Sequence, residues 1–234
     1  MRRAHAISPL LLLLLALTAT MPAQAATSGR LGAQFRYWAF DNGNDNRNPL
    51  VYWVARSYHA QLEVWDFEEG EDQFRPEFGV HLYDGRRSAY SAQWRHEKGL
   101  ERYTLSTEQV LSRHLVGKVA VSALVAADST DYMWQGGFDY YWGSWSFASA
   151  EVIRDPRGDE LWVFPMRVRL ADEDNDWVQF TLAPATQRTI GWAVDMKVRW
   201  MRFGIEQNSR YDFTTRDNIV FTVGAEMVLP KPKE

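Results

Sequence analysis

Near the C-terminus Ile190, Trp192, Val194, Met196 and Val198 alternate with Gly191, Ala193, Asp195, Lys197 and Arg199. A period of two sends successive side chains to opposite faces of a strand, one apolar and one polar. The next segment has the opposite parity, with Met201, Phe203 and Ile205 apolar against Arg202, Gly204, Glu206 and Arg210. A two-residue turn at Arg199-Trp200 accounts for the switch, because the residues flanking such a turn, here Val198 and Met201, face the same side. The same reasoning at Gly143-Ser144 places Trp142 and Trp145 together on one face. Trp162, Phe164, Met166, Val168 and Leu170 likewise oppose Arg167 and Arg169, and Ile219, Phe221, Val223, Ala225, Met227 and Leu229 oppose Asn218, Thr222 and Glu226. Earlier strands are expected around 31–40, 58–66, 75–83, 87–97, 101–111, 115–126, 131–142, 145–153 and 176–184. Pro165 and Pro184 fall within or at the end of such runs, where a missing N–H weakens a ladder.

These segments amount to thirteen strands unless 50–64 is divided. Single-chain bacterial barrels use even numbers. A three-residue turn at Ala55-Arg56-Ser57 yields fourteen, with Val54 and Tyr58 on one face; treating everything before Ser57 as an extramembrane arm yields twelve. The regular series Leu31, Ala33, Phe35, Tyr37, Ala39 favours fourteen. The joints at 84–86, 112–114, 143–144 and 199–200 are short and fall at one end. The polar stretches 41–49, 68–74, 154–159 and 212–217 fall at the other, with the brief joint at 97–100 as the exception. Short periplasmic turns opposite longer external loops are the habit of membrane barrels.

Composition then sets the compartment. Arg2 and Arg3 precede an apolar run at 10–17 and the small-residue site Ala23-Gln24-Ala25, the layout of a secretory signal peptide. Residues 1–25 are therefore expected to be the signal peptide, and 26–234, about 209 residues, one barrel domain. Removing two arginines from 26 basic residues, against 30 acidic ones, moves the formal charge from −4 to about −6, which gives no reason to expect nucleic acid. The absence of cysteine removes disulfides and thiolate sites. Beyond the leader no stretch is apolar enough to span a membrane as a helix, yet aromatic residues make up 14% of the chain. A barrel reconciles the two, since its strands show lipid only every second residue.

A soluble barrel packing its apolar face inward shows the same alternation. Three features favour the membrane. Large aromatics on the apolar parity, Trp134, Trp142, Trp145, Trp162 and Trp192, lie near strand ends, as interfacial girdles require. Charges sit in mid-strand on the polar parity. In the final strand Thr222, Gly224, Met227 and Leu229 resemble the C-terminal signal read by the barrel-assembly machinery, although Leu229 stands where an aromatic is usual and a five-residue tail follows. The expected fold is all-β, a transmembrane antiparallel up-and-down β-barrel of 12 to 14 strands in the cell outer membrane, with outer-membrane lipids and the assembly machinery as partners.

The chain resembles the YaiO family of small outer-membrane barrels. The likeness rests on Asp45-Asn46-Arg47-Asn48, Trp134-Gln135-Gly136-Gly137, Asp155-Pro156-Arg157-Gly158 and Arg210-Tyr211-Asp212, short matches scattered over most of the mature chain. The resemblance implies fold and compartment and brings no catalytic residues.

The polar parity places Arg95, Arg102, Glu108, Lys118 and Asp139 in the lumen, with Arg167, Arg169, Asp195, Lys197, Arg202, Glu206, Arg210 and Glu226. Both signs are present, which argues against an ion-selective pore and leaves two readings: a hydrogen-bonded plug of side chains, or a narrow conduit for a saccharide or small polar solute. Trp38, Trp65, Tyr83 and Tyr141, also on the polar parity, are candidates to stack on sugar rings. His59, His81, His96 and His114 show no metal-ligand spacing, and 172–176 lacks the spaced ligands of a calcium loop, so neither metal nor cofactor is expected. Gly136-Gly137 reads as a close backbone approach or a bulge. The expected role is non-enzymatic, structural or envelope-associated or a conduit. The alternatives are a lipid-modifying enzyme centred on His96, on the outward parity, and a soluble periplasmic barrel or sandwich with an apolar interior.

Overall fold

The computed structural model describes residues 29–41, 43–55, 57–68, 71–97, 99–173, 176–186, 190–207 and 218–229, without the side chains of 83, 84, 172, 173 and 229. The expected signal peptide, Arg210 and the Arg210-Tyr211-Asp212 motif lie outside these residues.

Fifteen strand segments form one antiparallel sheet: β1 (Gly29–Phe40), β2 (Asn46–Ala55), β3 (Tyr58–Phe67), β4 (Gln73–Asp84), β5 (Ser88–Glu97), β6 (Leu100–Val110), β7 (Leu115–Val125), β8 (Thr130–Tyr141), β9 (Phe147–Arg154), β10 (Glu160–Val163), β11 (Met166–Glu173), β12 (Asp176–Ala183), β13 (Gly191–Val198), β14 (Met201–Gln207) and β15 (Asn218–Leu229). Each segment pairs with its sequence neighbours except β10 and β11, which both pair with β9, and β15 returns to β1 in a continuous register from Gly29↔Leu229 to Phe40↔Asn218. The sheet is therefore a closed ring. Lipid offers no partner to an exposed N–H or C=O, and each one left open there costs several kcal/mol, so closure is what lets strands cross a bilayer. The longest strands have 12 residues; at about 3.3 Å per residue and a tilt of roughly 40°, they span about 30 Å.

β10 and β11 are two halves of one strand, so the barrel has fourteen. Both halves pair with β9 in the same register, Val163↔Glu151 and Met166↔Ala148. The expectation of one unbroken run through 162–170 fails at Pro165, which has no N–H to give β9. Its carbonyl still accepts from Ser149 N at 2.7 Å, and Phe164 N turns to Pro184 O at 2.9 Å, so the wall stays continuous.

The β13–β14 turn is the expected one, with Val198 opposite Met201 and Arg199 at φ 55. Two other joints correct the sequence reading. Ala55 belongs to β2, paired with Gly29, and Val54 pairs with His59, so the joint holds two residues, not three. Trp53, rather than Val54, shares the outer face with Tyr58, ring to ring at 4.5 Å. Between β8 and β9, Tyr141 pairs with Phe147 and Trp142 N donates to Ser146 O at 3.2 Å. The extra turn residue shifts the phase of β9 by one. Trp142 faces outward, whereas the Trp145 ring lies over the guanidinium of Arg169 on the inner side, 4.8 Å away.

The two faces differ as a membrane barrel requires. Phe78, Leu105, Val121, Phe138, Leu170, Phe221 and Met227 are exposed on the outside. Glu63, Asp139, Glu151, Gln179 and Lys197 are buried on the inside. Met196, paired with Phe203, and Ile205, paired with Val194, lie on the outer face. A soluble barrel with an apolar interior needs the reverse. Trp134 and Trp162 stand exposed towards the longer-loop end, and Trp142 and Trp200 at the short-turn end.

Candidate functional site: the charged bore

Inward-facing side chains form two contrasting stretches of wall. On the first, β3 carries Glu63, whose side chain is only 3% exposed, and it meets Arg36 of β1 at 3.1 Å and Arg95 of β5 at 3.2 Å. Arg95 also reaches Glu77 at 3.8 Å and Glu97 at 3.0 Å, and Glu97 meets Arg102 at 3.9 Å. Farther round, Lys118 of β7 binds Asp139 at 2.8 Å and Glu151 at 2.6 Å. Ser149 Oγ donates within the same group to Asp139, and Gln135 Nε2 donates to Glu151 Oε2 at 2.5 Å.

One of these contacts, and one between Tyr52 and Glu226 on the other stretch, depend on glycine. Gly137 pairs with Lys118 on one side and Glu151 on the other, so its missing side chain clears the way for Lys118 Nζ to cross β8. A Cβ there would lie 2.4 Å from the Ala150 carbonyl oxygen. The close-approach reading of this glycine holds, and there is no bulge. Gly32 plays the same part between Tyr52 and Glu226: a Cβ would sit 2.2 Å from the Tyr52 ring, which crosses the glycine so that its hydroxyl donates to Glu226 Oε2 at 2.8 Å.

The second stretch, β11 to β15 with β1 to β3, borders a cavity of about 490 Å³. Arg167, Arg169, Asp195, Arg202, Glu206 and Glu226 line it. Glu226 is held by Lys197 at 2.6 Å, and Asp195 by Arg202 at 3.6 Å. Arg169 and Arg167 are held differently, by rings and an amide: Arg169 lies 4.1 Å from the Trp177 ring and Arg167 lies 4.9 Å from that of Phe147. A smaller cavity of about 150 Å³, bordered by Arg95, Arg102 and Gln135, opens on the first wall.

The ion pairs run along the wall. Arg36–Glu63, Arg95–Glu63, Lys118–Glu151 and Lys197–Glu226 each join strands two places apart, and Lys118–Asp139 and Arg202–Asp195 join adjacent ones. None of these contacts spans the bore. Among the described residues these ion pairs do not make the cross-linked plug that mixed charges also permit.

The proposed sugar-stacking residues sit differently from one another. Trp38 is buried with its ring 5.1 Å from that of Trp65, and Arg75 covers Trp65 at 4.2 Å; these faces are taken by protein. Tyr141 stands beside Asp139, at 3.4 Å, and the Tyr83 side chain is outside the described residues. His96, on the outer face, bonds through Nδ1 to Glu101 Oε1 at 2.6 Å, and Trp94 donates to the same carboxylate. No hydroxyl among the described residues is hydrogen-bonded to His96, and no metal-binding cluster of His, Asp or Glu occurs among them. Thr222 and Gly224 lie on the inner side of β15, and Met227 on the outer.

Arg36, Tyr52, Glu63, Glu151, Trp177 and Gln179 are site residues absent from the set expected from the sequence. Trp177, Gln179 and Thr181 do alternate on the inner parity of β12, and that pattern was available in the sequence. Glu63 stands two residues from Trp65 in the expected 58–66 strand, on the same polar parity, so its inward direction was legible too.

No protein-family model matches the chain, and no curated protein matches it in sequence. Solved structures do match. The Acinetobacter baumannii outer membrane protein Omp33 aligns at 12% identity over 87% of this chain and 99% of its own, with a TM-score of 0.53. The TodX deltaS2S3 mutant monoaromatic hydrocarbon channel aligns at 8% identity over 92% and 94%, TM-score 0.53. The KdgM porin in complex with disordered oligogalacturonate aligns at 8% identity over 83% and 98%, TM-score 0.50. The likeness is one of architecture: the chain is a transmembrane-type antiparallel barrel, similar to proteins of the outer membrane.

Proposed function

We propose that this protein is a non-enzymatic outer-membrane barrel whose bore is a narrow, water-filled conduit for small polar solutes or saccharides. The observation that carries this reading is the course of the ion pairs round the wall beside a polar cavity of about 490 Å³. Fourteen strands, with no folded plug among the described residues, leave room for water once side chains are in place. Channels and porins among the structural neighbours, one holding an oligogalacturonate, are in keeping with it.

The compartment belongs to the same proposal. The leader at 1–25 directs export, and Thr222, Gly224, Met227 and Leu229 of the last strand are offered to the assembly machinery. The start of β1 and the end of β15, paired at Gly29↔Leu229, lie with the short turns on the periplasmic side, and the outer face meets outer-membrane lipid. The YaiO likeness supports this placement through Asp45, which accepts from the Tyr37 hydroxyl and from Phe40 N, and through Asp155, whose Oδ1 caps Arg157 N and Asp159 N. Both build the loop end.

Refolded protein in planar bilayers tests the reading. Discrete conductance steps are expected, with folded protein resisting dodecyl sulfate until boiled; a folded but electrically silent barrel overturns the conduit.

A further inference from the structure

Most cations of the inner wall are neutralised where they stand: Arg36, Arg95, Lys118, Lys197 and Arg202 each have a carboxylate within 4.0 Å. Arg167 and Arg169 differ, as does Arg75, which rests on Trp65 and Gln73 outside the lining of the large cavity. Arg169 is clasped between Trp177 at 4.1 Å and Trp145 at 4.8 Å, and its Nε and Nη2 both donate to Gln179 Oε1, at 3.1 and 2.7 Å. Arg167, two residues along and on the same face of β11, packs on Phe147, and its buried Nε has no hydrogen-bond partner. Among the described residues no carboxylate forms an ion pair with either. Aromatic faces and an amide oxygen orient a guanidinium without cancelling its charge. The remaining donors of this pair border the large cavity, together with the neutral hydrogen-bonding side chains Gln34, Gln61, Thr181 and Thr222. Of the three acids that border the cavity, Glu226 is engaged by Lys197 and Tyr52, Asp195 by Arg202, and Glu206 is not free either.

We infer that Arg167 and Arg169 form a binding site within the bore for a hydroxylated monocarboxylate, the chemistry of a sugar acid. This rests on the bore being a water-filled conduit. A planar guanidinium fork matches a carboxylate edge to edge, while amides and hydroxyls both donate to and accept from sugar hydroxyls. A cavity of about 490 Å³ lies within the range of small-ligand sites, roughly 300–1,000 Å³. A neutral sugar leaves the charge unanswered, and a bare carboxylate leaves the amides unused.

Calorimetric titration of the detergent-refolded barrel with D-glucuronate, D-glucose and acetate tests this. Glucuronate is expected to bind about tenfold or more tighter than either comparator. The double variant R167Q/R169Q, checked for heat-modifiable migration, is expected to lose that preference, and R167K/R169K to keep only part of it, because an ammonium lacks the fork. Equal affinity for glucuronate and glucose, no glucuronate binding, or a preference that survives in a folded R167Q/R169Q barrel overturns the site. Conductance is recorded separately: a silent barrel that binds glucuronate sinks the conduit and retains the site, and a conducting barrel that does not bind sinks the site alone.

Discussion

The wall from β3 to β9 and the wall from β11 to β14 both carry ion pairs on the inward parity, yet Arg167 and Arg169 on the second are held without one. On the first, acid meets base: Glu63 lies between Arg36 and Arg95, and Lys118 between Asp139 and Glu151. On the second, Arg167 and Arg169 rest on Phe147, Trp145 and Trp177. A buried charge is tolerated only when something compensates it, and a carboxylate does so by neutralising, whereas a ring or an amide compensates while leaving net charge behind. Disruption of the first wall should therefore appear as lost stability, and disruption of the second as altered solute preference.

The largest effect is expected at Gly137, where any side chain meets the Ala150 carbonyl rather than a movable group. Gly137→Val should cost about 3 kcal/mol or more through backbone displacement and loss of the Lys118–Glu151 contact, measured as a lowered urea midpoint in lipid vesicles. A midpoint unchanged from the parent would mean that β8 and β9 do not approach as described.

Next comes Glu63→Gln, which keeps the shape and removes the charge that Arg36 and Arg95 share. A loss of about 2 to 3 kcal/mol is expected; breaking a buried pair typically costs more, but Arg95 retains Glu77 and Glu97 and is partly exposed. By contrast Arg169→Gln should cost less than about 1 kcal/mol, since no carboxylate is orphaned, while the reversal potential in a potassium chloride gradient shifts towards cations. An Arg169→Gln barrel destabilised as strongly as Glu63→Gln would erase the distinction between the walls.

The smallest effect belongs to His96→Ala. His96 bonds Glu101 on the outer face and takes no part in either wall, so phospholipid and lipopolysaccharide profiles, conductance and stability should all stay within about 0.5 kcal/mol or experimental scatter of the parent. Altered lipid profiles would instead point to chemistry at that histidine.

Much of the fold is legible along the chain because a strand's two faces are written in alternate residues. Val198, Met201, Phe203 and Ile205 reveal a hairpin and its outer face without any distant partner. Legibility fails where one residue changes the phase: the turn after Trp142 is a residue longer than Gly143-Ser144 implies, and Trp145 passes from the outer side to the inner. It is partial at Pro165, where the proline warns of a weakened ladder but the alternation runs on across the break between β10 and β11. In the bore, parity indicates which charges face inward but not which partner each one finds.

Local alternation by itself determined that the chain forms strands, that the strands are apolar on one side, and that short turns gather at one end. Pairing within the bore was decided only when the ring closed. Tyr52 and Glu226 stand 174 residues apart and meet across Gly32 because β15 docks on β1 in one register. Lys118 and Glu151, 33 residues apart, meet across Gly137 because β7, β8 and β9 hold theirs. Side-chain direction is a property of each strand's own backbone, whereas a neighbour two strands away is set by the hydrogen-bond register accumulated around the whole barrel.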